Sequence, residues 1–381
     1  MPWESRTVKE QREAFVEAVS GSRNFSALCR EFGITRKTGY KWVRRYREGE
    51  PLSDRSHRPG TNPNKTPAAI EESILELRRE NPGWGGKKIK QVLETEGKEN
   101  IPSARTVGSI LLRNGMIAPE ESQKHTPFRR FARDKCNELW QADFKGEFCT
   151  KDGKYCYPLD ILDDHSRFSI RIQAFPSTAG VTIPAFEAAF REYGLPDAVL
   201  SDNGAQFAGF RHGYTHFERW LMDLDVLPIH GRLKHPQTQG KIERFHRSMK
   251  SELLAHEQFA DCEEANAALN RWRDKYNNRR PHEALGMKCP AQIYIPSSRS
   301  LPERIAPYEY DGRFHVLKVN SWGYIRFDRY QVYLSETMCN RHIEFRPGND
   351  GETFWACYRN FRIAEFSTDD GHLVNRLIRR L

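Results

Sequence analysis

The stretch LSDNGAQF, residues 200–207, places a single acid, Asp202, directly after a short apolar segment. Its other residues include Asn203 and Gly204, a pair that favours a tight turn, followed again by apolar residues. The stretch therefore predicts a buried strand that ends at a carboxylate. In open sheets with crossover helices, the functional crevice lies beyond the carboxyl ends of the strands. A role for Asp202 thus depends on which other acids reach the same edge.

The residues around this stretch alternate between strand and helix patterns. Three strand-like segments precede it: LWQADFKGEF, YCYPLDILDD and RFSIRIQAF. The remaining elements are a helix at 178–193, a strand at 197–201, a helix near 207–222, a strand at 226–230 and a helix near 240–257. Three antiparallel strands followed by alternating helices and strands predict an α/β fold, with a mixed sheet and helices available to both faces.

Two further acids occupy positions that match Asp202. Asp143 lies in the first strand, and Glu243 lies near the start of the helix after the fifth strand. Crowded carboxylates repel one another, and Mg²⁺ or Mn²⁺ relieves this repulsion because both ions prefer carboxylate oxygen. Two such ions, about 3.5 to 4 Å apart, can activate an attacking oxygen and stabilise a departing one. The three acids therefore predict metal-dependent phosphoryl transfer.

Residues near the acids are candidates for supporting roles. Arg247 and Lys250 follow Glu243 on the same predicted helix face and would contact phosphates. Candidates for active-site support are Asn203, Gln206, His235 and Gln239. Ordinary explanations stay open, because Asp202 could cap its turn and Glu243 could pair with Arg247 on a surface helix.

Other polar residues near the predicted crevice are given non-metal roles. His230, His235 and His246 are expected to pack or to contact substrate, because the proposed ions prefer oxygen ligands. Asp163 and Asp164 lie beside an apparent hairpin turn and are predicted to be solvated.

The N-terminal residues predict a helix-turn-helix. In SALCREFGITRKTGYKWVRRY, Gly33 marks a turn and Thr35 a helix N-cap. The second helix would present outward the side chains Arg36, Lys37, Tyr40, Lys41 and Arg44. These residue types reach bases and phosphates in a major groove. The alternative is a small helical bundle with a solvated basic face.

Further segments complete the predicted domain organisation. The predicted domains are a helix-turn-helix at 1–48, a linker at 49–66, a second helix-turn-helix at 67–120, a basic linker at 121–135, a catalytic domain at 136–296 and a small β-barrel at 305–370. The second helix-turn-helix could equally be a structural or dimerising bundle. The basic linker contributes the candidate phosphate contacts Lys124, Arg129 and Arg130. For the last domain a sandwich is the alternative to a barrel.

Composition points to an intracellular protein with a polyanionic partner. The 381 residues include 60 Lys and Arg against 51 Asp and Glu, a formal charge of +9. Residues 1–60 hold 13 basic against 8 acidic side chains, whereas residues 301–381 hold 12 against 11. The mean hydropathy is −0.76, and no apolar run approaches the roughly 18 residues of a membrane span. The eight cysteines form no Cys-x-x-Cys pair, which favours free thiols over a zinc or redox site.

The motifs together resemble a known family. WQADF, DILDDHSR, LSDNGAQF, HPQTQGKIERFHRSMK and YNNRRPHEALGMKCPAQIY are similar to the catalytic core of insertion-sequence transposases of the retroviral-integrase type. The resemblance covers residues of about 136 to 296 and extends to the N-terminal helix-turn-helix. It implies an RNase H-like fold with a mixed five-stranded sheet.

The resemblance also implies an activity. Asp143, Asp202 and Glu243 would be the metal-binding catalytic triad, and Lys250 would be the accompanying basic residue. The implied enzyme is a polynucleotidyl transferase that cleaves transposon ends with Mg²⁺ and joins the exposed 3′-hydroxyl to target DNA. Such enzymes act as multimers, so we expect a dimer or tetramer on double-stranded DNA, in the cytoplasm at the nucleoid.

The sequence departs from the family in two respects. Forty residues separate Asp202 from Glu243, which is longer than the usual spacing, and AGFRHGYTHFERW is the expected position of the surplus. No His/Cys zinc domain precedes the core. Two other hypotheses stay open: a domesticated DNA-binding regulator with an inactive core, and a structure-specific nuclease that cleaves without joining.

Overall fold

The computed structural model describes residues 7–55, 65–117, 133–209, 213–231, 240–349 and 351–381. The chain forms two compact units, Met1–Lys65 and Thr66–Leu381. The predicted basic linker therefore lies largely outside the described residues. No helix in the described part of the chain is both long and apolar enough to span a bilayer.

The first unit is a three-helix helix-turn-helix domain. Its helices are α1 (Val8–Gly21), α2 (Phe25–Glu31) and α3 (Arg36–Arg47). Thr35 caps α3 as predicted, because its side chain accepts a hydrogen bond from the backbone N–H of Thr38. Gly39 permits close packing of α3, since a Cβ there would lie 2.8 Å from Cys29 Sγ. The apolar face of these helices is thus buried, and the basic face of α3 is left exposed.

The second unit begins with another three-helix domain. Helices α4 (Ala68–Glu80), α5 (Gly86–Thr95) and α6 (Ala104–Arg113) enclose a core that includes the fully buried Trp84. Ser103 caps α6 as predicted. At Gly86 a Cβ would lie 2.4 Å from the carbonyl oxygen of Ala104, so α5 and α6 approach more closely there than any other residue would allow.

The central domain contains the predicted mixed sheet. Its strands are β1 (Trp140–Phe144), β2 (Phe148–Cys149), β3 (Tyr155–Asp163), β4 (Ser169–Phe175), β5 (Ala198–Ser201) and β6 (Leu227–His230). The path runs β2-β3-β1-β5-β6, and β4 pairs with β3. Strands β1, β3 and β4 pair antiparallel, whereas β5 is parallel to both β1 and β6. Five strands form the body of the sheet, and the two-residue β2 extends it at one end.

Helices cover both faces of this sheet. Helices α7 (Thr182–Tyr193) and α8 (His216–Asp223) pack against one face with Trp140, Leu159 and Ile161. Helices α9 (Gly240–Met249) and α10 (Cys262–Asn278) pack against the other face with Leu162 and Ile172. Because side chains alternate along a strand, β3 and β4 each contribute to both cores.

Two predicted helix boundaries differ from those observed. Helix α8 starts at His216 rather than near residue 207, because Thr215 and Glu218 form a capping box that fixes its first turn. Helix α9 ends at Met249 and continues as a π-helix, Lys250–Leu254. Residues 244–249, which separate Glu243 from Lys250, are all α-helical, and the π-helix begins only at Lys250.

The C-terminal strands form an open sheet rather than the predicted barrel. They are β7 (His315–Lys318), β8 (Tyr324–Phe327), β9 (Tyr330–Tyr333), β10 (His342–Pro347), β11 (Thr353–Tyr358), β12 (Phe361–Ser367) and β13 (Leu373–Arg380). Five of them pair in the order β13-β12-β11-β10-β7, and β8 pairs with β9 as a separate ribbon. Among the described residues, β7 and β13 do not pair to close a cylinder. The ribbon and the sheet share one core, which is closer to the sandwich alternative.

Candidate active site

Two of the three predicted acids lie level with each other at one edge of the sheet. In the parallel register of β1 and β5, Trp140 is opposite Val199 and Gln141 is opposite Leu200. Asp143 and Asp202 each come two residues after the second of these pairs. The charge of Asp202 is among the causes that raise the pKa of Asp143, so the carboxylates interact.

Asp143 is held in an environment that disfavours its charge. Burial is the largest cause that raises its pKa to about 6, and the charges of Asp202 and Asp160 add to the shift. The nearby His246 and the backbone N–H of Phe144 oppose it. An acid whose ionised form is destabilised by other acids is suited to bind a cation.

The third acid, Glu243, lies on the first turn of α9, and a buried polar network holds this helix against β1. Gln141 donates to Asp164 Oδ1 at 2.7 Å and accepts from the backbone N–H of Ile242 at 3.2 Å. Lys241 Nζ donates to the Asp164 backbone oxygen at 2.8 Å and also pairs with its carboxylate. The two residues that precede Glu243 in α9 are thus fixed relative to the strand of Asp143.

The side chain of Glu243 is nevertheless exposed. No three Asp, Glu, His or Cys side chains in the described ranges converge closely enough to hold one metal ion. Within the described ranges the three acids are therefore not assembled as one metal cluster, although α9, which carries Glu243, is hydrogen-bonded to β1.

The turn after β5 is stabilised by hydrogen bonds from the side chains of Asp202 and Asn203. Asp202 Oδ1 accepts from the backbone N–H of Gly204 at 3.0 Å, and Asn203 Nδ2 donates to the carbonyl oxygen of Gly231 at 2.8 Å. Asn203 thus ties the end of β5 to the end of β6. The amide of Gln206 lies over Gly204, where a Cβ would be 2.5 Å from its Nε2 and 3.0 Å from Asp202 Oδ1. Gln206 is thereby close to the candidate catalytic acid.

The prediction that Asp163 and Asp164 are solvated is wrong. Both are completely buried. Asp163 accepts hydrogen bonds from the backbone N–H groups of Asn137 and Ser166 and from the Ser166 hydroxyl. The turn they flank is folded back onto the start of β1, so their carboxylates satisfy backbone donors inside the protein.

Two of the three histidines considered lie in the described part of the chain. His230 Nε2 is 2.9 Å from Glu218 Oε1, and its Nδ1 is 3.1 Å from Ser201 Oγ. His246 lies between Asp143 and Asp160. His235 and Gln239 fall outside the described residues.

Several residues of the motif YNNRRPHEALG brace the core. Asn277 exchanges two hydrogen bonds with the backbone of Ser169, at 2.9 and 3.0 Å. Arg280 pairs with Glu252 at 2.8 Å. Arg279 pairs with Glu96 of the second helix-turn-helix domain at 2.8 Å. These contacts join α10 to the π-helix and to the α4–α6 domain.

The basic residues predicted to contact DNA are exposed where the structure describes them. The five candidate side chains of α3 lie on its outer surface: Arg36, Lys37, Tyr40, Lys41 and Arg44. Tyr40 stacks on Phe25 with ring centroids 4.3 Å apart. Arg247 and Lys250 are also exposed. Lys124, Arg129 and Arg130 fall outside the described residues.

Reasoning from the sequence did not identify Gln141, Asp160 or Lys241. Each lies in one of the quoted motifs, two residues from a predicted catalytic acid or opposite it in the sheet. A signal was present, because polar residues inside apolar strands and at the start of an amphipathic helix are rarely buried without a partner.

Family profiles match the central and the N-terminal parts of the chain. The profile described as integrase core domain matches residues 133–236, and a second integrase core profile matches residues 224–290. A helix-turn-helix profile matches residues 11–60, and a homeodomain-like profile matches residues 38–111.

Two relatives come from bacterial insertion elements. An uncharacterised 31.7 kDa protein of insertion element IS407 from Burkholderia multivorans is 24% identical over 61% of this chain and 82% of its own length. An uncharacterised 39.2 kDa protein of IS476 from Xanthomonas euvesicatoria is 24% identical over 66% of this chain and 75% of its own.

Among solved structures, the chain is similar to the HTLV-2 integrase catalytic core domain, described in complex with magnesium. That match has 20% identity and a TM-score of 0.33, and covers 42% of this chain and 97% of the other. The two integrase core profiles and the insertion-element relatives together support an insertion-sequence transposase with an integrase core domain.

Proposed function

We propose that this protein is a DNA transposase that binds the terminal inverted repeats of its element, cleaves the 3′ ends and joins them to target DNA. The observation that supports the proposal is that Asp143, in β1, lies level with Asp202, which directly follows the parallel strand β5, while α9, which carries Glu243, is hydrogen-bonded to β1. We further propose that these three acids are its catalytic residues.

The residues present suit divalent metal ions. Asp143, Asp202 and Glu243 would hold Mg²⁺ or Mn²⁺, which are hard ions that take carboxylate oxygens. When bound, a pair of such ions would lower the energy of both the attacking and the departing oxygen in phosphoryl transfer. The raised pKa of Asp143 supports this assignment, because a nearby cation would relieve the cost of its buried charge.

The remaining polar groups would hold DNA in place. The exposed basic face of α3 suits a major groove, and Arg247 and Lys250 lie on the helical segment that follows Glu243. Gln206 is close enough to Asp202 to orient a water or a phosphate at that acid. We propose that the protein acts as a dimer or tetramer that brings two element ends together, in the cytoplasm at the nucleoid.

The experiment uses labelled DNA that carries the sequences flanking the gene. The wild-type protein should produce 3′-end cleavage and joined products only with Mg²⁺ or Mn²⁺, and Asp143→Asn should bind the DNA without cutting it. Cleavage without joining would identify a nuclease instead. If the effect of the protein in the cell is unchanged in Asp143→Asn, the protein would be a DNA-binding regulator with an inactive core.

Binding by α3 is tested separately. Replacing Lys37 and Arg44 together by Ala should weaken DNA binding, and the slope of log affinity against log salt should become shallower by about 1 for each phosphate that is no longer neutralised. Arg23→Ala removes an exposed positive charge that lies outside α3 and serves as the control. Equal weakening in both proteins would show that α3 does not bind DNA specifically.

A further inference from the structure

A fourth acid, Asp160, lies beside the proposed triad. It stands opposite Asp143 in the antiparallel register of β3 and β1, so both side chains leave the same face of the sheet. The Asp160 side chain is completely buried, and neither carboxylate oxygen accepts a hydrogen bond from any residue the structure describes. Like charges placed directly opposite each other, with one of them buried, are unfavourable unless another group compensates.

His246 is the group that lies between these two acids. Its Nε2 is 2.7 Å from Asp160 Oδ2, and its Nδ1 is 3.8 Å from Asp143 Oδ2. The shorter contact is within ion-pair range, although its angles are not those of a hydrogen bond. Only 12% of the His246 side chain is exposed, so the ring is confined with one nitrogen towards each carboxylate.

The same ring is connected to the third acid through the helix. His246 follows Glu243 by three residues in α9, a spacing that puts both side chains on one side of the helix. Phe245, next to His246, is buried between α9 and α10 and contacts Trp272 and Tyr276. The backbone that carries the imidazole is therefore anchored, and the ring can transmit that fixed position to Asp143.

Lys145 is another basic residue near Asp160. The charge of Asp160 raises the pKa of Lys145, although burial has the larger and opposite effect on it. No hydrogen bond joins it to either Asp160 oxygen within the described chain. Lys145 thus contributes to the local charge balance, whereas His246 is the residue in contact with both acids.

We infer that Asp160 and His246 are positioning residues for the proposed reaction: Asp160 fixes the imidazole of His246, and the imidazole directs the carboxylate of Asp143 towards Asp202 and Glu243. The inference rests on the proposed function. Groups that orient a metal-ligating carboxylate typically change metal affinity or activity by about 10- to 100-fold when removed.

The test measures Mn²⁺ binding to the full-length protein without DNA, by electron paramagnetic resonance of the free ion. Asp160→Asn and His246→Ala should each weaken binding by about 10- to 100-fold. The double variant should have the same Mn²⁺ affinity as the single variant with the lower affinity, because both residues act through one imidazole ring. Asp160→Asn keeps the side-chain shape and removes no hydrogen bond, so it should fold, which thermal unfolding by circular dichroism verifies.

A matched control removes another imidazole that is paired with a carboxylate. His372 pairs with Asp370 on the exposed surface of the C-terminal domain, and His372→Ala should leave Mn²⁺ affinity unchanged. If Asp160→Asn does not fold, His246→Ala and His246→Asn decide the question. Affinity should fall with Ala and partly recover with Asn, whose amide can still donate to Asp143; equal reductions would contradict the inference.

Three outcomes would overturn the inference. They are an unchanged Mn²⁺ affinity in both folded single variants, reductions that multiply in the double variant, and a reduction in Asp160→Asn alone, which would make Asp160 a direct ligand. A wild-type protein that neither binds Mn²⁺ nor cleaves element DNA would instead remove the proposed function itself. Wild-type binding and cleavage with an unaffected Asp160→Asn would remove only this inference.

Discussion

Two pairs of buried or half-buried acids lie at strand β3: Asp163 with Asp164 at its end, and Asp160 with Asp143 on the neighbouring strand β1. The two pairs differ in the groups that surround them. Asp163 and Asp164 receive hydrogen bonds from backbone groups, from Gln141 and from Lys241. Asp143 and Asp160 face each other with one imidazole between them. Burial is common to both pairs, so the supply of donors is what separates a structural carboxylate from one suited to bind a cation.

The pKa shifts of Asp163 and Asp143 reflect the hydrogen-bond donors that surround each carboxylate. Burial raises the pKa of Asp163, but the hydrogen bonds from Ser166 and Asn137 oppose the shift. Burial also raises the pKa of Asp143, and there two other acids add to the shift and bring it to about 6. Hydrogen bonds therefore offset part of the cost of burying the Asp163 charge, whereas the charge of Asp143 is further disfavoured by other acids and would be compensated by a metal ion.

The largest expected change in stability comes from removing Lys241, the basic residue that pairs with Asp164. Lys241→Met leaves the completely buried Asp164 without its ammonium partner, and should lower the free energy of unfolding by about 3 to 5 kcal/mol. Urea titration measures the change. Lys250→Met removes an exposed lysine and should alter stability by less than about 0.5 kcal/mol. Similar values for both would show that Asp164 does not depend on Lys241.

Neutralising the candidate catalytic acid Asp143 should raise the free energy of unfolding instead of lowering it. The folded-state pKa of Asp143 is about 6, above its ordinary value of 3.8. The unfolded chain therefore ionises first, and the stability of the metal-free protein falls as pH rises through this interval. At pH 8, Asp143→Asn should raise the free energy of unfolding by about 2 to 3 kcal/mol, since one pKa unit corresponds to about 1.4 kcal/mol.

The pH dependence supplies the check on this second prediction. The gain from Asp143→Asn should have largely disappeared by about pH 3, below the ordinary pKa of 3.8, where Asp143 is mostly protonated in both the folded and the unfolded state. Urea titrations in a metal chelator at about pH 3 and about pH 8 measure this change. A variant that is less stable than wild type at pH 8 would mean that Asp143 is a structural acid like Asp163.

A smaller destabilisation is expected when a structural acid keeps its shape but not its charge. Asp163 Oδ1 accepts one hydrogen bond, from Asn137, and Oδ2 accepts two, from Ser166; Asp163→Asn replaces one of these oxygens by an NH₂ group, which faces a donor. Leaving a buried donor without an acceptor costs about 1 to 3 kcal/mol. The same urea titration at pH 8 should therefore show destabilisation here and stabilisation for Asp143→Asn.

Much of this organisation could be predicted from the sequence because periodicity reports burial directly. The alternation of strand and helix patterns predicted the mixed sheet, and cap residues such as Thr35 and Ser103 located the helix starts. The placement of Asp143 and Asp202 at the same edge of the sheet followed from topology alone. These features depend on local patterns and on general rules of chain connection.

The remaining features depend on contacts between distant segments. A turn acid such as Asp164 looks solvated until the backbone of Arg133 and the side chain of Lys241 are brought against it. Asp160 has no local pattern that distinguishes it from any polar residue in a strand. The barrel prediction failed for a similar reason, because strand number does not determine whether β7 meets β13 within the described chain.

A shared metal site at the three acids is tested most directly by the thermal stability of the protein with and without Mn²⁺. The measurement compares wild type with Asp143→Asn, Asp202→Asn and Glu243→Gln. A ligand at about 100 times its dissociation constant stabilises the folded state by about 2.7 kcal/mol. We predict that Mn²⁺ stabilises the wild-type protein clearly and that each substitution removes most of that gain. Equal stabilisation of all four proteins, or none in the wild type, would contradict a metal site formed by these acids.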